Sequence, residues 1–187
     1  EEMYPKGYDA WVHVGQREGI LEGKHRPFHF KGVLTVVSKL FNIARPSRAY
    51  FGQKDYQQLT LINQMAVDFN MAVEIVMVPT IREPDGLAVS SRNILMSKKE
   101  RDASSIVYRA LSTGLMLWEN GEHRTNFLIS EIINVLSQEP LVTSIDYLNI
   151  VDSTTLEDLA VVTRNGIVLV ALWVGNIRIV DNILLQI

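Results

Sequence analysis

The sequence predicts an α/β fold that passes into a smaller α+β part, and three observations carry that prediction. The first is the order apolar run, helical period, apolar run between Arg48 and Val78. A strand, a helix and a strand at this spacing form a parallel βαβ crossover. The second lies beyond residue 96. Two amphipathic stretches precede three extended apolar runs, and Arg164-Asn165-Gly166 and Gly175-Asn176 mark tight turns between them. That order is an antiparallel meander with two helices. The third is size. A chain of 187 residues, 47% hydrophobic, suits one large domain or one and a half with a substantial core. The two parts are expected to be residues 1–95 and 96–187.

The elements follow in order. Tyr8–Gly15 alternates, with Val12 and Val14 on one face and Trp11 and His13 on the other, and reads as a strand. Pro27 in "RPFHF" fixes its own backbone and turns Arg26 away from helix. Lys31–Ile43 carries Val33, Leu34, Val36, Val37, Leu40 and Phe41 on one broad face, a helix that Pro46 ends. Ser47–Phe51 is a strand. The helix after it spans about 54–69 by its apolar period, and Ala72–Val78 is the second strand. Residues 79–93 are polar, hold the turn Pro84-Asp85-Gly86, and are long for a compact βα loop, which points to function or mobility. Ser97 and Glu100 open a helix as a capping box, running through Trp118 to the stop at Asn120-Gly121. Thr125–Gln138 is a second helix, followed by strands at Asp146–Val151, Val161–Val162 with Ile167–Val174, and Ile177–Leu185.

Composition excludes several classes. The formal net charge is -3 with 21% charged residues, so no basic excess points to nucleic acid. There is no cysteine, which removes disulfides, zinc-thiolate centres and thiol chemistry. The longest apolar run, Gly166–Gly175, is too short to cross a bilayer. No basic-apolar-small signal opens the chain, and a cytoplasmic, reducing location is expected.

Candidate chemistry collects at the carboxyl ends of the two parallel strands, where ligands of such sheets bind. Lys54 stands in the first turn of the expected helix, where the macrodipole disfavours a cation. Either it is a solvated surface lysine, or it faces a phosphate at the helix N-terminus. Asp55 either complements the dipole or accepts from a ribose. Gln58 follows on the same face as Lys54. In the second segment, Ser90 and Ser91 could donate to phosphate oxygens and Arg92 could add a fixed charge. Taken by itself "SSRN" reads first as an ordinary turn with a helix cap, and the phosphate reading gains from its place at the end of the strand next to the one that leads to Lys54. Arg26 could bind a carboxylate or simply pair Glu22. His25 and His29 make no metal pair, because Pro27 spoils a common helical face. His13 and His123 are isolated, and no serine sits in a nucleophile elbow.

Taken together, "MYPKG", "LEGKHRPFHFKGVLTVVSKLFNI", "PSRAYFGQKDYQQLTLI", "VPTIREPDGLAVSSRN" and "LVALWVGNIRIVDN" resemble the pantothenate synthetases, the pantoate–β-alanine ligases. The resemblance covers essentially the whole chain. It implies a Rossmann-type nucleotidyltransferase portion and a C-terminal lid. It also implies ATP as substrate, taken with Mg2+, and a pantoyl adenylate that the amine of β-alanine attacks. By this resemblance Lys54, Ser90, Ser91 and Arg92 hold the ATP phosphates, in the place of the superfamily's KMSKS-like loop. Gly52 and Asp55 hold the ribose, Ile81 meets the adenine through its backbone, and Val89 lines the same site. Gln58 binds pantoate, whose gem-dimethyl group rests on Val33 and Val36. A cytoplasmic homodimer is implied, with no nucleic-acid or membrane partner.

The chain departs from the family pattern in places. "RPGHF" becomes "RPFHF", so Phe28 replaces a small residue, and either crowds a pocket wall or only alters a loop. Val89 stands where methionine is frequent, and Asn63 replaces a frequent basic residue. Nothing in the chain matches the family's opening strand, its HxGH motif or a pantoate-binding glutamine near it. The chain is therefore expected to correspond to the C-terminal portion of the family, with exposed apolar sheet surface and little or no activity alone. The alternatives are another nucleotidyltransferase of the superfamily, a nucleotide-binding remnant without turnover, and a pure dimerisation domain. The retained Lys54–Asp55–Gln58 and Ser90–Arg92 sets speak against the last.

Overall fold

A computed structural model describes residues 2–186, and the chain divides into two compact units, Glu1–Pro79 and Thr80–Ile187. The sequence boundary at 95/96 follows the change in helical character. The contacts group residues 80–95 with the second unit.

In the first unit a short helix α1 (Glu22–His25) precedes the long helix α2 (His29–Ala44). Strand β1 (Arg48–Gly52), helix α3 (Tyr56–Asp68) and strand β2 (Glu74–Val78) follow. The strands pair in parallel, Arg48 opposite Glu74 through Gly52 opposite Val78. This is the expected crossover. One face of the ribbon is covered: Phe51 and Ile75 pack on Phe30, Leu34, Leu61, Ile62 and Met65. Tyr50 on the other face is exposed.

Three details of this unit correct the sequence reading. Tyr8–Gly15 is extended but pairs with no strand. It is held by side chains instead: the Val12 amide donates to Thr35 Oγ1 at 3.0 Å, Lys31 lies over the Trp11 ring and Lys39 over those of Tyr4 and Tyr8. Alternation alone cannot supply a neighbouring strand. Helix α3 starts at Tyr56, after a 3-10 turn at Gln53–Asp55, so Lys54 precedes the helix. Helix α2 starts at His29, earlier than its apolar period, because Phe28 takes a left-handed conformation (φ 66°) that ends the Pro27 loop at once.

In the second unit, α4 (Lys98–Ala103), α5 (Ser105–Glu119) and α6 (Thr125–Leu136) lead into β3 (Val142–Asp152), β4 (Gly166–Val174) and β5 (Ile177–Leu185). The strands form an antiparallel sheet in the order β3-β4-β5. This is the expected meander, with the expected Gly175-Asn176 turn, where Gly175 takes φ 57°. The central strand β4 is buried along nearly its whole length. Its side chains pack with Val107, Leu111, Trp118, Leu128, Ile132 and Leu136 of α5 and α6. Two expectations shift here. The single helix from Ser97 to Trp118 is broken at Ser104, whose hydroxyl donates to the Glu100 carbonyl at 2.6 Å. Val161 makes only an isolated bridge to Arg124, outside β4.

Candidate functional site

The two groups of candidate residues fall in different units, and each has its own local geometry.

In the first unit, β1 and β2 end side by side, since Gly52 pairs with Val78. Gly52, Lys54, Asp55 and Gln58 therefore follow one another from the carboxyl edge of the parallel ribbon. Gly52 is in ordinary extended backbone, and a Cβ built there meets nothing within 4 Å. The space above the strand end is open, as close approach of a ligand requires. Lys54 Nζ lies 3.5 Å from Asp55 Oδ1. This neighbour offsets the charge conflict that the sequence suggests. Asp55 makes no side-chain cap to α3. Val33 and Val36 are half-buried on α2, packed against the Phe30–Leu34 core.

Gln57 is a residue that sequence reasoning missed. Its side chain is buried, and its amide donates to the carbonyls of Arg17 (3.0 Å) and Ile20 (2.9 Å) and accepts from the Glu22 amide (3.0 Å). It thereby ties residues 17–22 to the first turn of α3, directly beside Gln58. A signal exists in the sequence: Gln57 stands four residues before Leu61, on the apolar stripe, and a polar group there must find partners. Arg26 Nη1 lies 3.4 Å from Glu22 and 3.1 Å from His29, so the pairing with Glu22 is the one found. His13 meets Glu18 at 3.4 Å.

In the second unit, residues 81–89 close into a narrow hairpin. The Val89 amide donates to the Ile81 carbonyl (2.9 Å), the Glu83 amide to Leu87 (2.9 Å) and the Gly86 amide to Glu83 (2.8 Å). Residues 79–93 are thus partly ordered by their own ladder around Pro84-Asp85-Gly86, where the sequence predicts only a loop. The hairpin sets Ile81 against Val89, with Ser90, Ser91 and Arg92 directly after. Ser90 caps the 3-10 turn Ser91–Leu95 by accepting from the Arg92 amide at 3.3 Å. The local cap and an anion site are therefore compatible, because Ser91 and Arg92 are exposed. Among the described residues the Arg92 guanidinium makes no hydrogen bond or ion pair, and the Ile81 and Val89 side chains are exposed.

Two arginine–aspartate pairs brace this hairpin, and sequence reasoning names neither. Arg101 binds Asp85 through both terminal nitrogens, and this guanidinium holds the Asp85 carboxyl below the usual aspartate range despite its partial desolvation. Arg82 binds Asp181 of β5, through Nη1 to Oδ2 at 2.7 Å and Nη2 to Oδ1 at 3.0 Å. The clue is a carboxylate within the apolar run Ile179-Val180-Asp181-Asn182-Ile183. Among the described residues no group of three or more His, Asp or Glu could hold a metal ion.

Comparison with known proteins gives this geometry its context. Pantothenate synthetases of Dehalococcoides mccartyi and Thermotoga petrophila are 46% and 47% identical to the chain, each over 185 residues and 99% of its length. The aligned part is 69% of the first relative and 66% of the second, so the chain spans about two thirds of their length. The crystal structure of pantothenate synthetase from Thermus thermophilus superposes with a TM-score of 0.94 at 39% identity, covering 100% of this chain and 67% of that one. The pantoate–β-alanine ligase from Francisella tularensis, complexed with beta-gamma ATP and beta-alanine, superposes with a TM-score of 0.71 at 31% identity, over 97% of this chain and 60% of that one. The pattern of the pantoate–beta-alanine ligase family matches residues 1–184, essentially end to end, and the chain belongs to that family.

Proposed function

We propose that the chain carries nucleotide- and acid-binding surfaces of a ligase that joins pantoate to β-alanine with cleavage of ATP. A pantoate carboxylate oxygen bonds to the α-phosphorus of ATP as the bond to the pyrophosphate breaks. The β-alanine nitrogen then bonds to the acyl carbon, AMP departs with the electron pair, and the amine loses a proton. The first step develops negative charge on the phosphates, so fixed donors and cations serve it better than an acid–base pair. Lys54, Ser90, Ser91 and Arg92 are assigned that work, with Gly52 and Asp55 at the ribose and Ile81 and Val89 at the adenine. Gln58, Val33 and Val36 are assigned to pantoate. The second step needs the amine held at an activated acyl group. Mg2+ enters with the triphosphate, whose oxygens are its natural ligands. A homodimer in the cytoplasm belongs to the same proposal.

The observation that carries this reading is the exposed Ser91–Arg92 pair at the end of a braced hairpin, in a chain of this family. A titration with MgATP tests it. Lys54→Ala and Arg92→Ala are each expected to weaken binding about tenfold, the loss of one charge-assisted contact, with an unchanged melting temperature. Gly52→Ala is the sharper variant. Among the described residues nothing beyond its chain neighbours lies within 4 Å of the added methyl, so a loss of nucleotide affinity without a loss of stability would come from the ligand itself. Binding that none of these variants alters would overturn the assignment. Pantoate-dependent release of pyrophosphate separates the ligase from a nucleotide-binding module without turnover.

A further inference from the structure

The hairpin Ile81–Val89 contains an arginine of its own, and its surroundings differ from those of Arg92. Arg82 is mostly buried. Besides its two bonds to Asp181, Nη1 donates to the Gly86 carbonyl at 3.0 Å and Nη2 to the Asn182 carbonyl at 3.1 Å. Its guanidinium carbon lies 4.2 Å from the centre of the Tyr108 ring on α5. Asp181 is 1% exposed and also accepts from the Asn182 amide at 2.8 Å. The turn is fixed from the other side. Gly86 has φ 93°, and a Cβ there would collide with the Tyr108 ring. The Asp85 carboxylate receives the Leu87 amide at 3.3 Å and the Arg101 guanidinium.

We infer that Arg82 and Asp181 are positioning residues: they lock the hairpin to β5 and so set where Ser90, Ser91 and Arg92 present themselves to a triphosphate. Both terminal nitrogens of Arg82 are already occupied by protein acceptors, so Arg82 does not bind phosphate. A bidentate pair in a buried place fixes direction as well as distance, which one monodentate contact cannot do. Removing one member leaves the other charge buried and alone. The inference rests on the proposed function, because it takes residues 90–92 to face an anion.

Amide hydrogen exchange and ligand titration on the same samples test it. The variants are Asp181→Asn, which offers one carboxamide oxygen to a fork that needs two, and Arg82→Lys, which keeps the charge without the fork. The double variant Arg82→Leu/Asp181→Leu leaves no lone buried charge, so it tests the clamp even if the single variants do not fold. The amides of Glu83, Gly86 and Val89 are expected to exchange about tenfold faster, while those of β4 keep their rates. Affinity for MgATP should fall about tenfold, as expected for a misplaced charged contact, and affinity for AMP should fall less, because AMP lacks the outer phosphates but still meets Ile81 and Val89 of the same hairpin. Hairpin amides that exchange as before overturn the inference. So does equal acceleration in β4, since the pair would then serve general stability, and so does an equal loss of MgATP and AMP. An unmodified chain that takes up neither nucleotide overturns the proposed function, while the exchange rates still decide separately whether the clamp exists.

Discussion

Phe28 shows how one residue can be read twice. In sequence it is a bulky side chain where the family pattern has a small one. In the structure it holds φ 66° and is 81% exposed. The position needs left-handed backbone, which glycine adopts freely and an L side chain adopts at a cost of about 1–2 kcal/mol. With the ring 81% exposed, it crowds nothing among the described residues of its own unit. Phe28→Gly is therefore expected to stabilise the first unit by about 1 kcal/mol, the left-handed cost less part of glycine's greater entropy loss. A urea midpoint checks this, and a decrease would show that contacts of the ring outweigh its backbone strain. Gln57 and Gln58 make the complementary point. They are chemically identical neighbours, yet only one is committed to the backbone of residues 17–22.

At the scale of elements, the capping box of α4 does more than start a helix. Glu100 accepts from the Ser97 amide and hydroxyl at 2.8 and 2.7 Å through one oxygen. Its other oxygen takes the Asn176 amide at 2.9 Å, in the turn between β4 and β5. One carboxylate thus joins a helix start to a strand turn far away in sequence. The Asn176 amide, then the Ser97 hydroxyl and amide, hold the Glu100 pKa below its ordinary value of 4.5. A depressed carboxyl binds fewer protons folded than unfolded. Its contribution is therefore full above the unfolded value and is lost as pH falls through the folded one. Glu100→Gln should lower the melting temperature at pH 7, and the gap to the unmodified chain should shrink once the pH drops below 4.5. A gap independent of pH would mean that the carboxylate charge contributes nothing.

Over the whole molecule, the two units differ in what holds them. Among its described residues the first gathers one cluster of six buried apolar side chains beneath a two-stranded parallel ribbon, and such a ribbon has little stability without further cover. The second buries a larger cluster between two helices and a three-stranded sheet whose central strand is almost inaccessible. Heating is expected to unfold the first unit before the second. Trp118, 2% exposed, reports the second core, and far-UV dichroism reports both. The dichroism should begin to change at a lower temperature than the Trp118 signal, read in a chain with Trp11→Phe and Trp173→Phe. Coincident curves would show that the units unfold together.

The sequence by itself determined the local features and the family. Periodicity placed α2, α3, α6, β1, β2, β4 and β5 to within a few residues, because each element buries one face or both and the apolar spacing records it. The Ser97–Glu100 box and the Gly175-Asn176 turn were legible because their chemistry lies within a few consecutive residues. The motifs from "MYPKG" to "VGNIRIVDN" indicated the family that the matches then showed. Tertiary structure decided what depends on distant partners. Residues 8–15 are not a strand, because among the described residues they pair with no strand and are held instead by Thr35, by lysines of α2 over their aromatic rings and by Val12 and Val14 packed on the first core. Lys54 precedes the helix and meets Asp55, so the dipole conflict read from sequence is largely relieved. Arg82, in the hairpin that leads into the candidate phosphate residues, is committed to Asp181, ninety-nine positions further on. A charged side chain in sequence is only a capacity for pairing, and the partner that arrives in space decides whether that capacity serves the fold or remains open to a ligand.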